Sequence, residues 1–317
     1  MPQRRARTQR RYGPTVSPRV FSITPQHSGS DHHASQVERL GHEFVGTVVA
    51  VPQSEKKWKV GDRVGGPWHG GHDHSCRSCN KGLFQMCDNK TVNGVFREGG
   101  YGEYATLRTE SAVRIPADAD PAEVAPLLCA GVTVFNGIRN VPNVQAGDTV
   151  AVQGLGGLGH LAIQYARKMG FRTVALSRGT SKKDFAMQLG ATDYIDTQAN
   201  DGGEALQKMG GANIIVMTAP NPDVISGLVN GLAPRGTLLI LAPVGPVPVN
   251  TVPMVLNGLN VAGWPSGHAL DCEDAIAFAH AQGVKCMIEK FPMDKANAAL
   301  DHMLSGKVRF RGVLTMD

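Results

Sequence analysis

Residues 149–160 read TVAVQGLGGLGH, and this stretch decides the fold. Its first five residues predict a strand, and the pattern Gly154-x-Gly156-x-x-Gly159 follows them directly. The first glycine permits a tight turn, the second lets the backbone approach a pyrophosphate, and the third lets the next helix pack closely. The free N–H groups at the start of that helix attract phosphate oxygens. The stretch therefore predicts a phosphate cradle for a dinucleotide, made of Gly154, Leu155, Gly156, Gly157, Leu158 and Gly159.

From this stretch onward, apolar strands alternate with helices. The predicted elements are strands at 149–153, 173–177, 214–218, 237–241 and 260–263, and helices at 157–169, 182–189 and 223–232. Alternation of this length predicts a parallel sheet that is covered by helices on both faces. The fold class is therefore α/β, with a doubly wound, Rossmann-type dinucleotide-binding domain at 130–266.

The end of the second predicted strand bears on the choice of dinucleotide. An NAD site usually has an acidic residue there, which holds the ribose 2′-hydroxyl. Here the chain has Ser177, Arg178 and Lys182 instead. A hydroxyl and a guanidinium suit a 2′-phosphate, because arginine forms charge-assisted hydrogen bonds with it. We therefore expect NADP(H) to be preferred over NAD(H), unless these charges only form a solvated helix start.

A possible metal site lies in a glycine-rich segment before the Rossmann domain. It contains three soft ligands, Cys76, Cys79 and Cys87. A closed structural zinc site requires four ligands. Asp73 is the predicted fourth ligand, and His72 and His74 are chemically suitable alternatives. The spacing therefore predicts a structural zinc site, and three free cysteines in a loop are the alternative.

The composition limits the classes of function. With 317 residues the chain is long for a single core, so two domains are expected. Five of its 32 basic residues lie at 4–11, and the remaining 27 match the 27 acidic residues, which disfavours nucleic acid as a partner. No apolar run approaches the roughly 20 residues that span a bilayer, so no membrane is expected. We predict a cytoplasmic protein, with a mitochondrial location as the alternative because the start is arginine-rich and poor in acids.

Outside 130–266 the expected elements are strands at 43–51 and 101–107, a turn into a strand at 59–64, helices at 273–282 and 296–304, and a last strand near 309–314. Residues 1–37 show no clear periodicity. They are predicted to be a divergent or disordered N-terminus.

Five motifs in a fixed order carry a resemblance to a known family. They are Gly41-His42-Glu43, Val60-Gly61-Asp62-Arg63-Val64, Gly99-Gly100-Tyr101-Gly102-Glu103-Tyr104, Leu127-Leu128-Cys129-Ala130-Gly131-Val132-Thr133 and the glycine stretch up to His160. Over 41–317 the sequence resembles the zinc-dependent medium-chain alcohol dehydrogenases, especially the cinnamyl-alcohol-dehydrogenase-like and fungal branches. The resemblance implies an N-terminally incomplete, mainly β, GroES-like catalytic domain, formed by 38–129 and 267–317, beside the Rossmann domain. It also implies that the C-terminal segment returns to the catalytic domain, and that the chain forms a homodimer or homotetramer.

The resemblance implies two zinc sites. His42 and Cys129 would bind the catalytic zinc, with Glu43 as a nearby or exchanging ligand. Thr133, in the motif that contains Cys129, is expected at the cofactor. The structural zinc would bind the three clustered cysteines, and Asp73 stands where the family has its first cysteine.

The sequence departs from the family upstream of His42. The family has a further zinc-binding cysteine there, whereas the first cysteine of this chain is Cys76. Ser28 stands in its place, and Ser30 would match the hydroxyl that relays the catalytic proton. The candidate replacement ligands are His27, His32 and His33. If none of them binds, Glu43 would have to be a direct ligand.

The expected reaction is hydride transfer between NADP(H) and a primary alcohol or aldehyde, with aldehyde reduction as the expected direction. Zinc would act as a Lewis acid on the substrate oxygen, and the nicotinamide would carry the hydride. The expected substrate is a small alcohol or aldehyde in a pocket that Trp68 and Phe135 make apolar. The alternatives are a zinc-free quinone-reductase-like enzyme and a catalytically impaired homologue that only binds the dinucleotide.

Overall fold

The computed structural model describes residues 13–22 and 39–316. In chain order its strands are β1 (Thr15–Ser22), β2 (Phe44–Ala50), β3 (Arg63–Gly66), β4 (His69–Gly71), β5 (Thr91–Val92), β6 (Ala105–Thr106), β7 (Val113–Arg114), β8 (Thr149–Gln153), β9 (Arg172–Ser177), β10 (Asp193–Asp196), β11 (Ala212–Met217), β12 (Leu232–Ile240), β13 (Asn260–Gly263), β14 (Ile288–Pro292) and β15 (Arg311–Thr315). Its α-helices are α1 (Arg77–Asn80), α2 (Pro121–Val124), α3 (Ala130–Arg139), α4 (Gly159–Lys168), α5 (Lys183–Gln188), α6 (Gly202–Lys208), α7 (Ile225–Val229), α8 (Thr251–Asn257), α9 (Ala269–Gln282) and α10 (Ala296–Leu304).

The six-stranded sheet is the Rossmann domain that the glycine motif predicts. Its strands run in the order β10-β9-β8-β11-β12-β13, and every neighbouring pair is parallel. In the middle, Val150 of β8 is paired with Thr173 of β9 and Ile214 of β11. Alternate residues of a strand point to opposite faces, so Val152 enters one hydrophobic core and Ala151 the other. Helix residues complete both cores, which confirms the doubly wound α/β class.

The seven-stranded sheet joins distant parts of the chain. Its strands run in the order β14-β15-β1-β2-β3-β7, and β6 also pairs with β1. Strand β15 is antiparallel to β1 and parallel to β14, so the C-terminal segment returns to this sheet as expected. Strand β1 corrects the prediction for 1–37, which assigned no element there. Pro18 lowers the strand propensity of this segment, and a register shift between Pro18 and Val20 accommodates it.

Other elements also differ from the predictions. Residues 101–107 form only the short strand β6, and the N–H groups of Gly100 and Tyr101 are hydrogen-bonded to the carbonyl oxygens of Gly41 and Leu40. The elements that were not predicted are, besides β1, strands β4, β5, β7, β10 and β14 and helices α1, α2, α3, α6 and α8. Helix α3 is buried throughout except for its last residue, so it has no polar face from which a helical period could be recognised.

Helix α3 also belongs to the one helix pair whose joint length and composition approach those of a membrane span among the described residues. Among the described residues, no single helix is long and apolar enough to cross a membrane. One bent pair, Pro121–Leu128 with Ala130–Arg139, reaches that length and composition only when its two halves are counted together. The halves meet at an angle of 53°.

Candidate metal and dinucleotide sites

Four donor side chains meet around helix α1. The ligand atoms of Asp73, Cys76, Cys79 and Cys87 all lie within 4.8 Å of one another. Cys76 Sγ lies 3.7 Å from Cys87 Sγ, and Cys79 Sγ lies 3.4 Å from Asp73 Oδ1. Three thiols and a carboxylate are a donor set that suits tetrahedral zinc. Within the described ranges, no other group of three or more His, Cys, Asp and Glu side chains is gathered so closely.

Local hydrogen bonds explain why this loop presents its ligands together. Cys76 caps helix α1, and its Sγ accepts the N–H of Cys79 at 3.5 Å. Asp73 Oδ1 accepts the N–H groups of Ser75 and Cys76, and Asn89 Nδ2 donates to Asp73 Oδ2 at 2.6 Å. These bonds, that of Asn89 foremost, hold the pKa of Asp73 well below its usual range. The loop therefore presents an ionised carboxylate, which a metal ligand requires.

The two alternative fourth ligands are directed toward each other. His72 Nε2 lies 3.2 Å from His74 Nδ1, and the His72 ring stacks on Phe84 with 4.3 Å between the ring centres. Neither histidine belongs to the four-residue cluster. The geometry therefore favours Asp73 as the fourth ligand.

His42 and Glu43 lie immediately before β2, after a left-handed turn at Gly41 with φ of 96°. Both side chains are buried. Glu43 Oε1 accepts the N–H of Ala130 at 3.2 Å, and Glu43 Oε2 forms an ion pair with Arg311. The carboxylate is thus held by an N–H group and a guanidinium. This arrangement fits a carboxylate that lies near a bound metal.

Cys129 lies beside this buried pair, immediately before α3. Burial, together with the charge of Glu43, raises the pKa of the Cys129 thiol to about 12. In the part of the chain that the structure describes, His42, Glu43 and Cys129 form no cluster like that around α1. An imidazole and a thiol suit zinc, but a catalytic site requires three protein ligands. The other predicted residues of this site lie outside the described residues: His27, Ser28, Ser30, His32 and His33.

The glycine loop between β8 and α4 leaves open space at its centre. A Cβ atom on Gly159 would lie 1.9 Å from the carbonyl oxygen of Gly154, so only glycine permits this close packing of α4. A Cβ atom on Gly156 would meet no atom within 4 Å. Open space at the second glycine is what the approach of a pyrophosphate requires. The loop therefore has the shape of a phosphate cradle.

The carboxyl end of β9 lies next to this loop. Ser177 ends the strand, and Arg178 follows it with an exposed side chain. Lys182 Nζ donates to the carbonyl oxygen of Leu155 at 3.3 Å, which connects this corner with the loop. Asp196, at the end of the neighbouring strand β10, accepts two backbone N–H groups. The end of β9 therefore presents the hydroxyl of Ser177 and two cationic side chains beside Asp196, whose carboxylate already accepts backbone hydrogen bonds.

Arg311 is a functional candidate that the sequence analysis missed. It lies in β15, and a Cβ atom on Gly157 would lie 3.2 Å from its Nη1. Its Nη2 forms the ion pair with Glu43. One guanidinium therefore lies against the phosphate loop and against the residue next to His42. No local pattern signals this role, because Glu43 lies 268 residues earlier in the chain.

Two family models match the chain. The model described as alcohol dehydrogenase GroES-like domain matches residues 23–117, and the one described as zinc-binding dehydrogenase matches residues 157–281. Alcohol dehydrogenase patD of Penicillium expansum is 56% identical over 276 residues, which are 87% of this chain and 81% of that protein. The chain belongs to the zinc-type medium-chain alcohol dehydrogenase family. The resemblance inferred from the five motifs is thereby confirmed.

A second relative and a solved structure agree with this family. Alcohol dehydrogenase notN of Aspergillus sp. (strain MF297-2) is 53% identical over 277 residues, which are 87% of this chain and 81% of that protein. The structure of the cinnamyl alcohol dehydrogenase SbCAD4 from Sorghum bicolor matches with a TM-score of 0.84 and 27% identity, over 96% of this chain and 90% of that one. The expected combination of a GroES-like and a Rossmann-type part is therefore present in this alcohol dehydrogenase.

Helix α3 of this alcohol dehydrogenase carries two further predicted residues. Thr133 is buried, and its backbone N–H donates to the carbonyl oxygen of Cys129 at 2.9 Å, so it lies one helical turn after a proposed metal ligand. The expectation that Phe135 lines the substrate pocket is wrong. Its ring packs in the hydrophobic core, with ring centres 5.4 Å from Tyr165 and 5.3 Å from Phe278.

Proposed function

We propose that this protein is a zinc-dependent alcohol dehydrogenase that transfers hydride between NADP(H) and a small primary alcohol or aldehyde. The position of Arg311 carries the proposal, because its guanidinium lies against Gly157 of the phosphate loop and pairs with Glu43, the neighbour of His42. A dinucleotide on the loop and a substrate oxygen near His42 would belong to one site. The names of the relatives and of the sorghum enzyme support the same class of reaction.

The catalytic metal would be held by His42 and Cys129, with a third ligand from the upstream candidates. When bound, zinc supplies Lewis-acid polarisation of the substrate oxygen. Arg311 and the Ala130 N–H hold the Glu43 carboxylate in place, so its negative charge lies close to the proposed metal position. The upstream hydroxyl that the family uses to pass the proton to solvent corresponds to Ser30. The second, structural zinc would be held by the cluster around α1.

The dinucleotide would bind with its pyrophosphate on the glycine loop. Ser177, Arg178 and Lys182 would then surround the 2′-phosphate, which supports NADP(H) over NAD(H). Because the NADPH pool in cells is largely reduced, aldehyde reduction is the proposed direction. Steady-state kinetics with both cofactors tests this proposal. A higher kcat/KM with NADPH than with NADH is expected, and equal values would contradict it.

A catalytically impaired dinucleotide-binding protein is the second candidate function. It is favoured by one observation, namely that the first cysteine of the sequence is Cys76, so Ser28 stands where the family has its upstream zinc-binding cysteine. The zinc-free reductase is disfavoured because His42, Glu43 and Cys129 are all present.

Zinc per chain, measured by elemental mass spectrometry on the dialysed protein, separates these functions. Two zinc ions, one lost in His42→Ala and the other in Cys79→Ser, together with NADPH-dependent aldehyde reduction, would support the proposed enzyme. A single zinc that is lost only in Cys79→Ser, with no turnover of any aldehyde, would support the impaired homologue. One zinc, bound by the cluster around α1, together with rapid quinone reduction would support the reductase that uses no catalytic zinc.

Self-association into a homodimer or homotetramer is also proposed. Helix α8 exposes Val255 and Leu256, which are 81% and 77% accessible. The helix precedes β13, which is an edge strand of the parallel sheet. Exposed apolar side chains beside an unpaired strand edge favour contact with a second copy. Light scattering of the protein and of a Val255→Glu, Leu256→Glu variant tests this, and a monomeric mass for the unmodified chain would contradict it.

The cytoplasmic location and the absence of nucleic-acid and membrane partners stay predictions from composition.

A further inference from the structure

We propose that His160 is a positioning residue that ties the phosphate loop to the C-terminal segment carrying Arg311, and that it thereby raises the affinity for the dinucleotide pyrophosphate. This inference rests on the proposed function. It concerns a side chain that follows the last glycine of the loop and has no place in the proposed chemistry.

The two ring nitrogens of His160 contact two different parts of the chain. His160 is fully buried. Nδ1 lies 3.1 Å from the carbonyl oxygen of Gly156, and Nε2 accepts the N–H of Met287 at 3.2 Å. Because a backbone N–H can only donate, Nε2 must be the acceptor, and the ring hydrogen therefore lies on Nδ1 and is donated to Gly156. Burial lowers the pKa of His160 to about 4, which is consistent with this neutral form.

The imidazole adds a second donor to a carbonyl that orients an N–H group in the loop, because the backbone N–H of His160 donates to the same Gly156 oxygen at 3.1 Å. The carbonyl of Gly156 and the N–H of Gly157 belong to one planar peptide unit and point in opposite directions. Holding the carbonyl oxygen on the protein side therefore turns the Gly157 N–H away from His160. The loop has open space at Gly156, where a Cβ atom would meet nothing within 4 Å. An N–H that is fixed in advance binds a phosphate without a further cost of ordering.

The contact with Met287 reaches Arg311 through the backbone. The carbonyl oxygen of Met287 accepts the N–H groups of Phe310 and Arg311 at 3.0 and 3.2 Å. The Phe310 ring also stacks on the His160 ring, with 5.0 Å between centres and 14° between planes. A single buried imidazole therefore positions both the loop and the start of the strand from which Arg311 reaches Gly157.

Gln164, one helical turn later on α4, provides a matched control. Its side chain forms two hydrogen bonds with the backbone of Lys285, donating to the carbonyl oxygen at 2.9 Å and accepting the N–H at 3.0 Å. It also donates to the backbone carbonyl oxygen of His160 at 3.0 Å, a bond that does not involve the imidazole. It holds the same C-terminal segment, but its hydrogen bonds include none with the glycine loop. Gln164→Met removes this attachment and leaves the contact between His160 and Gly156 in place.

The experiment compares dinucleotide dissociation constants of three variants by fluorescence titration with NADPH. His160→Leu removes both hydrogen bonds and the contact of Nε2 with Cys286 Sγ at 3.6 Å. His160→Asn retains a donor near Nδ1, and His160→Gln retains an acceptor near Nε2. We expect His160→Leu to raise the dissociation constant about tenfold, the effect of losing one to two hydrogen bonds, and the other two variants to have smaller effects. Gln164→Met should change the constant less than about twofold while lowering the thermal unfolding temperature.

A competition titration with adenosine 2′-monophosphate separates positioning from a general loss of structure. This compound has no pyrophosphate, so the His160 variants should bind it as the unmodified protein does. Unchanged NADPH affinity in all folded His160 variants would overturn the inference. The inference would also be overturned if the His160 variants lost affinity for NADPH and for adenosine 2′-monophosphate equally. The same holds if Gln164→Met lost as much NADPH affinity as His160→Leu. If the unmodified protein binds neither NADPH nor NADH, the proposed function itself is contradicted. This outcome differs from those above, in which the unmodified protein binds NADPH and only the role of His160 is contradicted.

Discussion

Glu43 and Arg311 form a buried ion pair although 268 residues separate them in the chain. Glu43 lies immediately before β2, and Arg311 lies in β15, so the pair joins an early and a late segment of the seven-stranded sheet. Removing one partner of a buried pair leaves an uncompensated charge in a poorly solvated place. Because Arg311 also lies against Gly157, the same contact affects both stability and the dinucleotide site.

Arg311→Met should therefore lower the free energy of unfolding by about 3–5 kcal/mol, as measured by urea denaturation. The double variant Glu43→Gln, Arg311→Met should recover part of this loss, because it removes the charge that the single variant leaves without its partner. A single variant that unfolds within about 1 kcal/mol of the unmodified protein would show that the pair contributes little.

The cluster around α1 gives a prediction about zinc binding. Asp73→Asn preserves the size of the side chain but removes the anionic ligand, so the variant should lose one zinc per chain on dialysis. His74→Gln is the matched control, because His74 is the adjacent alternative ligand and lies outside the cluster. Elemental mass spectrometry gives the zinc content of both variants. Loss of zinc in His74→Gln but not in Asp73→Asn would reverse the assignment of the fourth ligand.

Arg178 gives a prediction about cofactor preference. Its exposed guanidinium follows β9 at the proposed 2′-phosphate position. Arg178→Gln should raise KM for NADPH about tenfold or more and leave KM for NADH unchanged, because only NADPH carries the phosphate. Arg172→Gln, at the other end of β9, removes an arginine that is paired with Asp193 at 3.0 Å and serves as the control. Equal effects on both cofactors would rule out 2′-phosphate recognition by Arg178.

Gly156 gives a prediction that separates binding from folding. A Cβ atom at this position meets no atom within 4 Å, so Gly156→Ala should unfold at nearly the same temperature as the unmodified protein. The added methyl group would nevertheless occupy space that the pyrophosphate requires, and the NADPH dissociation constant should rise at least about tenfold. Calorimetry and a binding titration on the same sample provide both values. Unchanged affinity would mean that the dinucleotide does not approach this glycine.

The buried imidazole of His160 gives a prediction about how the free energy of unfolding changes in acid. Burial lowers its pKa to about 4 from 6.5, so below about pH 6.5 the unfolded chain binds a proton that the folded chain does not. The contribution of the neutral His160 ring to the free energy of unfolding is thus complete above about pH 6.5 and is lost as the pH falls toward 4. About 2 kcal/mol of it is lost between pH 7 and pH 5. Urea unfolding at both pH values should show a pH dependence about 2 kcal/mol smaller in His160→Asn. The same pH dependence in both proteins would contradict this account.

The sequence predicted the parts of the fold whose signals are local. The glycine motif lies between a strand and a helix as expected, and the boundaries of β8, β13 and α10 agree with the predicted ranges. Each of these elements has its own period or its own turn residues, so a short window of sequence suffices. Asp73 as a zinc ligand was predicted in the same way, from its spacing to Cys76.

The missed features depend on contacts between distant segments. Strand β1 contains Pro18 and has no clear alternation, and it becomes a strand by pairing with β2 and β15. The roles inferred for Arg311 and His160 follow from their contacts with Glu43 and Met287, which no local pattern could indicate. Side-chain partners of this kind are fixed by the tertiary fold and not by propensity.

The place of β1 between β2 and β15 sets the order in which the protein can mature during synthesis. All six strands of the parallel sheet lie between Thr149 and Gly263, so this domain has its complete set of strands well before β15 leaves the ribosome. The seven-stranded sheet begins earlier in the chain but lacks its strand β15 until that segment has been synthesised. The domain that comes second in the sequence can therefore fold first, while the edge of β1 that pairs with β15 stays open.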